Sequence, residues 1–417
     1  AFEANVGLAF NIFAALFFLR GLKKPWLLLV SAMLMGLNLY VYQSEKVFTP
    51  LLLLALVAVY WRDLWKVPKK FIISAVLLGL VVSIPMVNFV VTSKEALARA
   101  QGVSVFSDQT EFLKRDVEKL VVDRRKGDYL GLLLDNRRFV YAKSIVAGYA
   151  AHFDLNWLFI RGDIARHHAP DMGLLYLWEL PFFLIGIYFL IFGRPAGGFD
   201  KRVKALIFSW FLLAPLPASI TSGVPHAIRT LNFLPMFQIF VAIGIIFSFE
   251  KVLRSKYKVS NNRLAYFLMT GYLLLITFNM LYYFNQYFVQ QNYFFSKDWQ
   301  YGYKEAIGEI VSIEHKYDKI IVSNVPHMDQ SYMFFLFYLK YPPAQYQKEA
   351  QGASGGFKEN HMFGKFEFRP IDWDKEVRTA GILYVGRPDD FPGVYEGHVK
   401  TFNFLNDEPA IVLVEGK

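Results

Sequence analysis

The sequence predicts a mainly α-helical, polytopic transmembrane bundle of about eight spans, followed by a small C-terminal extracytoplasmic α/β domain. Three observations predict it. The 417 residues are 54% hydrophobic and only 19% charged, against about 45–50% and about 25% in an average soluble domain. The apolar residues fall in blocks close to the roughly 20 residues that a membrane-crossing helix needs. After about residue 297 the blocks give way to short alternating helix and strand patterns.

The expected spans are 4–20, 26–42, 47–61, 70–91, 173–192, 204–221, 231–249 and 264–288. The third is short, and Pro50 falls in its first turn, where proline is tolerated. Basic residues set the orientation. Arg20, Lys23 and Lys24 follow the first span, Arg62, Lys66, Lys69 and Lys70 the third, and Arg194, Lys201, Arg202 and Lys204 the fifth. Lys251, Arg254, Lys256, Lys258 and Arg263 follow the seventh, whereas the short alternate turns hold one basic residue each, Lys46 and Arg229. Basic loops stay cytoplasmic. The turn at 43–46, the segment 92–172 and the tail from 289 are therefore expected on the other face of a plasma (inner) membrane. The domains read as spans in 1–91, an extracytoplasmic loop in 92–172, spans in 173–288 and the α/β domain in 289–417.

The loop 92–172 is too polar to span. Asp108 to Lys126 reads as an amphipathic interfacial helix, with Asp108 and Glu111 at capping-box spacing and Leu113, Val117, Leu120 and Val121 on one face. A second helix is expected at 136–152 and an irregular loop from His152 to Gly173. In the tail, helical patterns at 299–315 and 328–340 alternate with strands at 319–323, 364–369, 381–386 and 410–415. Gln351 to Phe357 is glycine-rich without a phosphate-loop pattern and reads as a plain loop.

Composition excludes several classes of chemistry. The absence of cysteine rules out disulfides, thiolate metal sites and cysteine nucleophiles. The net charge of +10 is explained by cytoplasmic loops. No basic stretch carries a nucleic-acid reading module, so no nucleic-acid partner is expected. The chain starts at Ala1 and enters an apolar span almost directly, without a charged signal-peptide leader. An N-terminal part is therefore expected to be missing.

Three polar stretches carry candidate chemistry. The first is Arg161-Gly-Asp163-Ile-Ala-Arg166-His167-His168, just before the fifth span. Arginine forks suit phosphate oxygens, and paired histidines can donate to an anion or ligate metal. The alternative is a solvated loop whose cations meet lipid headgroups in general. Adjacent histidines lack structural zinc spacing and no third ligand is obvious. No metal ligands are therefore assigned, although a divalent metal remains a possible cofactor. The second stretch is Pro225-His226-Ala-Ile-Arg229-Thr, where His226 and Arg229 share a face at helical spacing. A shared anion site and a plain basic helix-start turn weigh evenly. The third is Tyr40-Val-Tyr42-Gln43-Ser44-Glu45-Lys46. Lys46 can meet a phosphate there, and Tyr42 or Gln43 can line a cavity. The alternative is an aromatic belt with a snorkelling lysine. Glu179, inside the fifth expected span, is a functional carboxylate or a structural partner of Arg229 or His226.

Together these stretches resemble bacterial dolichyl-phosphate-mannose–protein mannosyltransferase-like enzymes of the GT-C class of membrane glycosyltransferases. The matching residues are Phe2-Glu3-Ala4, Tyr40-Val-Tyr42-Gln43-Ser44, Arg161-Gly-Asp163 with Arg166-His167-His168, Gly173 to Pro181, and Pro225-His226-Ala-Ile-Arg229-Thr. The likeness runs from residue 1 to about 250 and, more loosely, through the extracytoplasmic tail. The resemblance implies transfer of a sugar from a polyprenyl-phosphate carrier to a glycan, lipid or protein acceptor on the outer face. Lys46, Tyr42, Gln43, Arg161, Arg166, His167, His168, His226 and Arg229 would then serve the lipid phosphate. It also implies a catalytic acid in a first outer loop, which this chain lacks, so the fragment is expected to be inactive alone. Asp163 is the weak candidate left for that role. The alternative class is a transporter or flippase of lipid-linked precursors, which predicts midplane polar residues and repeat symmetry.

Overall fold

The computed structural model describes residues 2–93, 104–106, 110–193, 200–254, 262–349, 360–393 and 397–416. They form two compact units, Ala1–Leu281 and Tyr282–Lys417. The first is helical. Its long helices are α1 (Phe2–Gly21), α2 (Leu27–Asn38), α3 (Glu45–Leu64) and α4 (Lys69–Thr92). Next come α5 (Thr110–Lys126), α6 (Tyr129–Leu134), α7 (Arg137–Ala151), α8 (Leu180–Phe192), α9 (Lys201–Leu213) and α10 (Leu216–Ser219). The last two are α11 (Leu234–Arg254) and α12 (Asn262–Asn285).

Among the described residues, four helical stretches are long and apolar enough to cross a membrane: Glu3–Gly21, Glu45–Leu64, Lys69–Thr92 and Leu231–Ser248. This corrects the expected eight. Helix α2 has 12 residues and so spans about 18 Å, well short of the roughly 30 Å hydrocarbon layer. Helices α8 and α9 have 13 residues each. Helix α12 has 24, but part of its side chains lies outside the described residues.

The bundle is built around one stripe of α3. Phe48, Leu52 and Leu56, four residues apart, are fully buried, while Leu53, Leu54 and Val57 face outward. Spacing by four keeps one helical face turned to the core. Trp210, Phe211, Phe237 and Phe240 pack into the same core. Helices α8 and α11 approach at backbone distance. A Cβ on Gly186 would lie 1.9 Å from the Phe240 carbonyl oxygen, and one on Gly244 would lie 1.9 Å from that of Phe182. Small residues allow this approach where apolar surroundings give no hydrophobic gain for helix pairing.

The stretch expected as an interfacial loop is partly built into the unit. The expected Asp108 cap lies outside the described residues. Helix α7 is capped by Asn136, whose side chain accepts from Arg138 N. Its Tyr149 hydroxyl donates to the Leu212 carbonyl at 2.9 Å. The loop after it is not wholly irregular, for Trp157–Arg161 forms a π-helical turn.

The second unit carries a six-stranded mixed sheet. Its strands are β1 (Lys319–Val322), β2 (His361–Phe363), β3 (Phe366–Phe368), β4 (Ile382–Gly386), β5 (His398–Asn403) and β6 (Pro409–Glu415), in the order β2-β3-β1-β4-β6-β5. Strand β1 is parallel to both β3 and β4, and the other pairs are antiparallel. Alternation places Ile320 and Val322 in the larger core and Ile321 in the smaller one on the opposite face. Helices α14 (Tyr303–Ile313) and α15 (Ser331–Tyr338) follow the short α13 (Gln291–Phe294). Tyr303, Ala306, Ile307 and Ile310 of α14 cover the larger core at helical spacing. The four expected strands are present, and β2 and β5 are additional. The glycine-rich stretch 351–357 lies outside the described residues.

Candidate functional site

Two of the expected stretches, the 161–168 loop and the 225–229 turn, meet just before α11, and Tyr42 of the third lies near Arg229. The anchor is Asp163, which follows the chain reversal at Gly162 (φ 66°). Its Oδ2 accepts from Ala227 N at 2.6 Å and its Oδ1 from Ile164 N at 2.8 Å. One carboxylate thus ties the 161–168 loop to the 225–229 turn. The His167 ring stacks on that of His226, with centroids 4.3 Å apart, and His167 Nδ1 lies 3.5 Å from Asp163 Oδ2. Burial alone would raise the Asp163 carboxyl, but the contacts with His167, Ala227 and Ile164 hold it below its usual range.

His152, fully buried at the end of α7, is a second joint. Its Nδ1 faces the Gly148 carbonyl at 2.7 Å and its Nε2 accepts from His226 N at 3.2 Å. Those roles require the neutral Nδ1–H tautomer, and burial lowers the pKa accordingly. His226 is lowered further, to about 3, by burial first and then by the Arg229 charge and His167. His168 is also lowered by burial, and its ring packs where a Cβ on Gly162 would fall.

Arg229 is half-buried. Its Nη1 donates to Thr221 Oγ1 at 2.6 Å and to the Ser222 carbonyl at 2.7 Å. Among the described residues no carboxylate forms an ion pair with it. Tyr42 and Asp163 lie close enough to oppose the effect of burial on its charge. Its Nη1 is thus held by the 221–222 turn, and Arg229 does not line the neighbouring cavity.

A cavity of about 220 Å³ lies beside the stacked histidines. His167, His168 and Thr230 are its polar lining, and Trp157, Leu174 and Phe237 are among the apolar residues that complete it.

The other expected site residues stand apart. Arg161 and Arg166 are exposed and do not line the cavity. Lys46 Nζ donates to Gln43 Oε1 at 2.8 Å, and neither residue lines the cavity. Glu179 does not pair with Arg229 or His226. Its carboxylate accepts from Tyr176 N at 2.9 Å and caps its own turn. The adjacent pair His167 and His168 does not converge on a third group, but Asp163, His167 and His226 each place a nitrogen or oxygen atom able to ligate within 4.8 Å of the others.

The largest omission from the sequence reading is Glu45. It is 1% exposed. Its Oε1 accepts from Asn232 Nδ2 at 2.8 Å and from Ser44 Oγ at 3.2 Å, and its Oε2 accepts from Asn11 Nδ2 at 2.6 Å. Asn38 and Thr49 extend the network, each at 2.9 Å from Asn11 Oδ1. Gly7 makes room for it, because a Cβ there would lie 2.7 Å from Glu45 Cγ. Trp210 Nε1 holds the Asn232 carbonyl at 2.7 Å. The carboxylate therefore fixes the start of α11, and with it the turn that carries His226 and Arg229.

No family model, curated protein or solved structure matches this chain.

Proposed function

We infer that the chain is the lipid-carrier part of a multi-pass membrane glycosyltransferase, moving a hexosyl or pentosyl unit from a polyprenyl-phosphate carrier to an acceptor. The observation that carries the reading is the 2.6 Å contact between Asp163 Oδ2 and Ala227 N. It brings two separated basic stretches together at one helix-bundle end, with Arg229 half-buried and, among the described residues, in no ion pair with a carboxylate. In the reaction the sugar C1–O bond to the phosphate breaks, a bond from C1 to the acceptor oxygen forms, and the acceptor proton passes to a base. Negative charge grows on the departing phosphate, where Arg229 would stabilise it. Asp163 accepts from two backbone N–H groups, Ala227 N and Ile164 N, so its role here is to position the loop, and we do not assign it the base. The bias of basic residues towards the alternate loops supports reading that bundle end as facing the outer side of the plasma membrane. The shorter apolar helices would then complete a GT-C-like bundle around the four long ones.

The test uses the full-length protein in liposomes with a polyprenyl-phosphate sugar donor. Arg229→Ala should lower transfer by about 10²-fold or more, as loss of one charge-stabilising donor does. Arg166→Ala, on the exposed side of the loop, should change it little. Equal transfer by Arg229→Ala and wild type would overturn the assignment.

One observation favours a second reading. The Glu45 network is a cluster of polar groups buried inside the bundle, which suits a transporter or flippase of lipid-linked precursors. Translocation of a labelled polyprenyl-phosphate lipid without sugar transfer would select it.

A further inference from the structure

We propose that Asp163, His167 and His226 bind one zinc ion, with a fourth coordination position open towards the neighbouring cavity. The inference does not depend on glycosyl transfer. Three features of the site support it.

The first is the donor set. One carboxylate and two imidazoles are the borderline ligands that zinc takes, and three protein ligands with an open fourth position mark sites where the metal meets a further oxygen ligand. Two separate chain stretches supply these ligands, and their donor atoms already lie within 4.8 Å of one another.

The second is an unsatisfied atom. His167 Nδ1 is buried and makes no hydrogen bond. At 3.5 Å from Asp163 Oδ2 it is too far for a good hydrogen bond. Ligand atoms about 2.0–2.2 Å from a tetrahedral zinc ion lie roughly 3.3–3.6 Å from each other. The separation therefore fits two corners of one coordination sphere better than it fits an ion pair.

The third is the supporting shell. Metal ligands are oriented by outer hydrogen bonds. Ala227 N and Ile164 N fix the Asp163 carboxylate, and His152 fixes the backbone of His226. With Asp163 the loaded site would carry one net positive charge, so an oxygen anion or water suits the open position. His167 lines both the metal site and the cavity.

The experiment takes the 417-residue chain in detergent, strips it with a chelator, and reloads it with zinc or cobalt. Bound metal is then counted by mass spectrometry after desalting. Wild type should retain one zinc per chain and show a higher thermal midpoint when loaded. Cobalt should give the visible absorption of a four-coordinate nitrogen–oxygen site. Loss of an outer-shell partner alone weakens metal sites about 10–100-fold, so His167→Ala should weaken zinc by at least that factor. His226→Ala should do the same, and His168→Ala should retain the metal. Should His226→Ala fail to fold, His167→Ala and the wild-type cobalt spectrum still decide. Wild-type protein without stoichiometric zinc, or His167→Ala with undiminished zinc, would overturn the proposal.

Discussion

Asn232 donates through Nδ2 to Glu45 Oε1 at 2.8 Å, joining two residues 187 positions apart in the chain. The bond links the first turn of α3 to the residues that lead into α11. Around it, neutral amides and hydroxyls surround a carboxylate that is shut off from solvent. Glu45→Ala should strand the Asn11 and Asn232 amides, and each buried unsatisfied donor costs about 1–3 kcal/mol. A loss of about 2–4 kcal/mol in stability is expected, read as a lower thermal midpoint in detergent. Glu45→Gln keeps an acceptor in place and should lose less. Equal midpoints for Glu45→Ala and wild type would show that the network contributes nothing.

The buried histidines make stability depend on pH. His152, His168 and His226 all have folded-state pKa values below the usual one near 6.5, mainly through burial. The unfolded chain therefore binds more protons as pH falls, and folding is penalised. Their contribution is intact above about pH 6.5 and is lost progressively as pH falls towards the His226 value of about 3. Asp163 is held low and adds stability that is present above its usual range and lost in stronger acid. Thermal midpoints should be flat from pH 8 to about 7 and then fall, and His226→Asn should reduce the slope. A midpoint independent of pH between 7 and 5 would contradict the buried neutral assignment.

Helices α8 and α11 meet through their glycines. Any side chain at Gly186 or Gly244 would collide with a carbonyl oxygen 1.9 Å from its Cβ. Gly244→Leu should separate the pair and cost more than about 3 kcal/mol, the range of severe overpacking. Size-exclusion profile and detergent stability would check it. Gly271→Leu is the control, because its Cβ position meets nothing within 4 Å.

Gly162 sets the aim of Asp163. Its φ of 66° lies in the left-handed region, and a Cβ there would lie 2.3 Å from the Met172 carbonyl oxygen and 2.7 Å from His168 Nδ1. Gly162→Ala should therefore displace the loop and break the Asp163–Ala227 contact. Faster hydrogen exchange at the Ala227 amide would report it, and unchanged exchange would show that the loop holds without the glycine.

Much of the fold was legible because its signals are local. The apolar runs of α1, α3, α4 and α11 announce themselves, and β1, β4 and β6 read as apolar strands bounded by turns. Strand β5 was missed because its residues are mostly exposed and show no apolar alternation. Strand β2, three residues long, was also missed. The site was half legible. His167, His226, Arg229 and Asp163 stood out as polar residues at the edges of apolar runs, and the structure brings them together. Arg161 and Arg166 stood out equally, but the loop turns them outward. Glu45 sits beside Lys46 in a polar turn, and Asn11, Asn38 and Asn232 are single polar residues widely separated along the chain. Only the packing of α1, α2, α3 and the start of α11 makes them one group.

Helix α4 has no buried residue along its length. Ile73, Leu77, Val81, Ile84 and Val87 are exposed, whereas Val76, Gly79 and Leu80 line a groove with residues of α2 and α3 and Phe71, Ile72 and Ala75 pack against the core. The outward side of α4 is therefore set by its medium rather than by partners. One aliphatic residue there should replace another at little cost in stability, whereas changes to the asparagines around Glu45 remove buried hydrogen bonds.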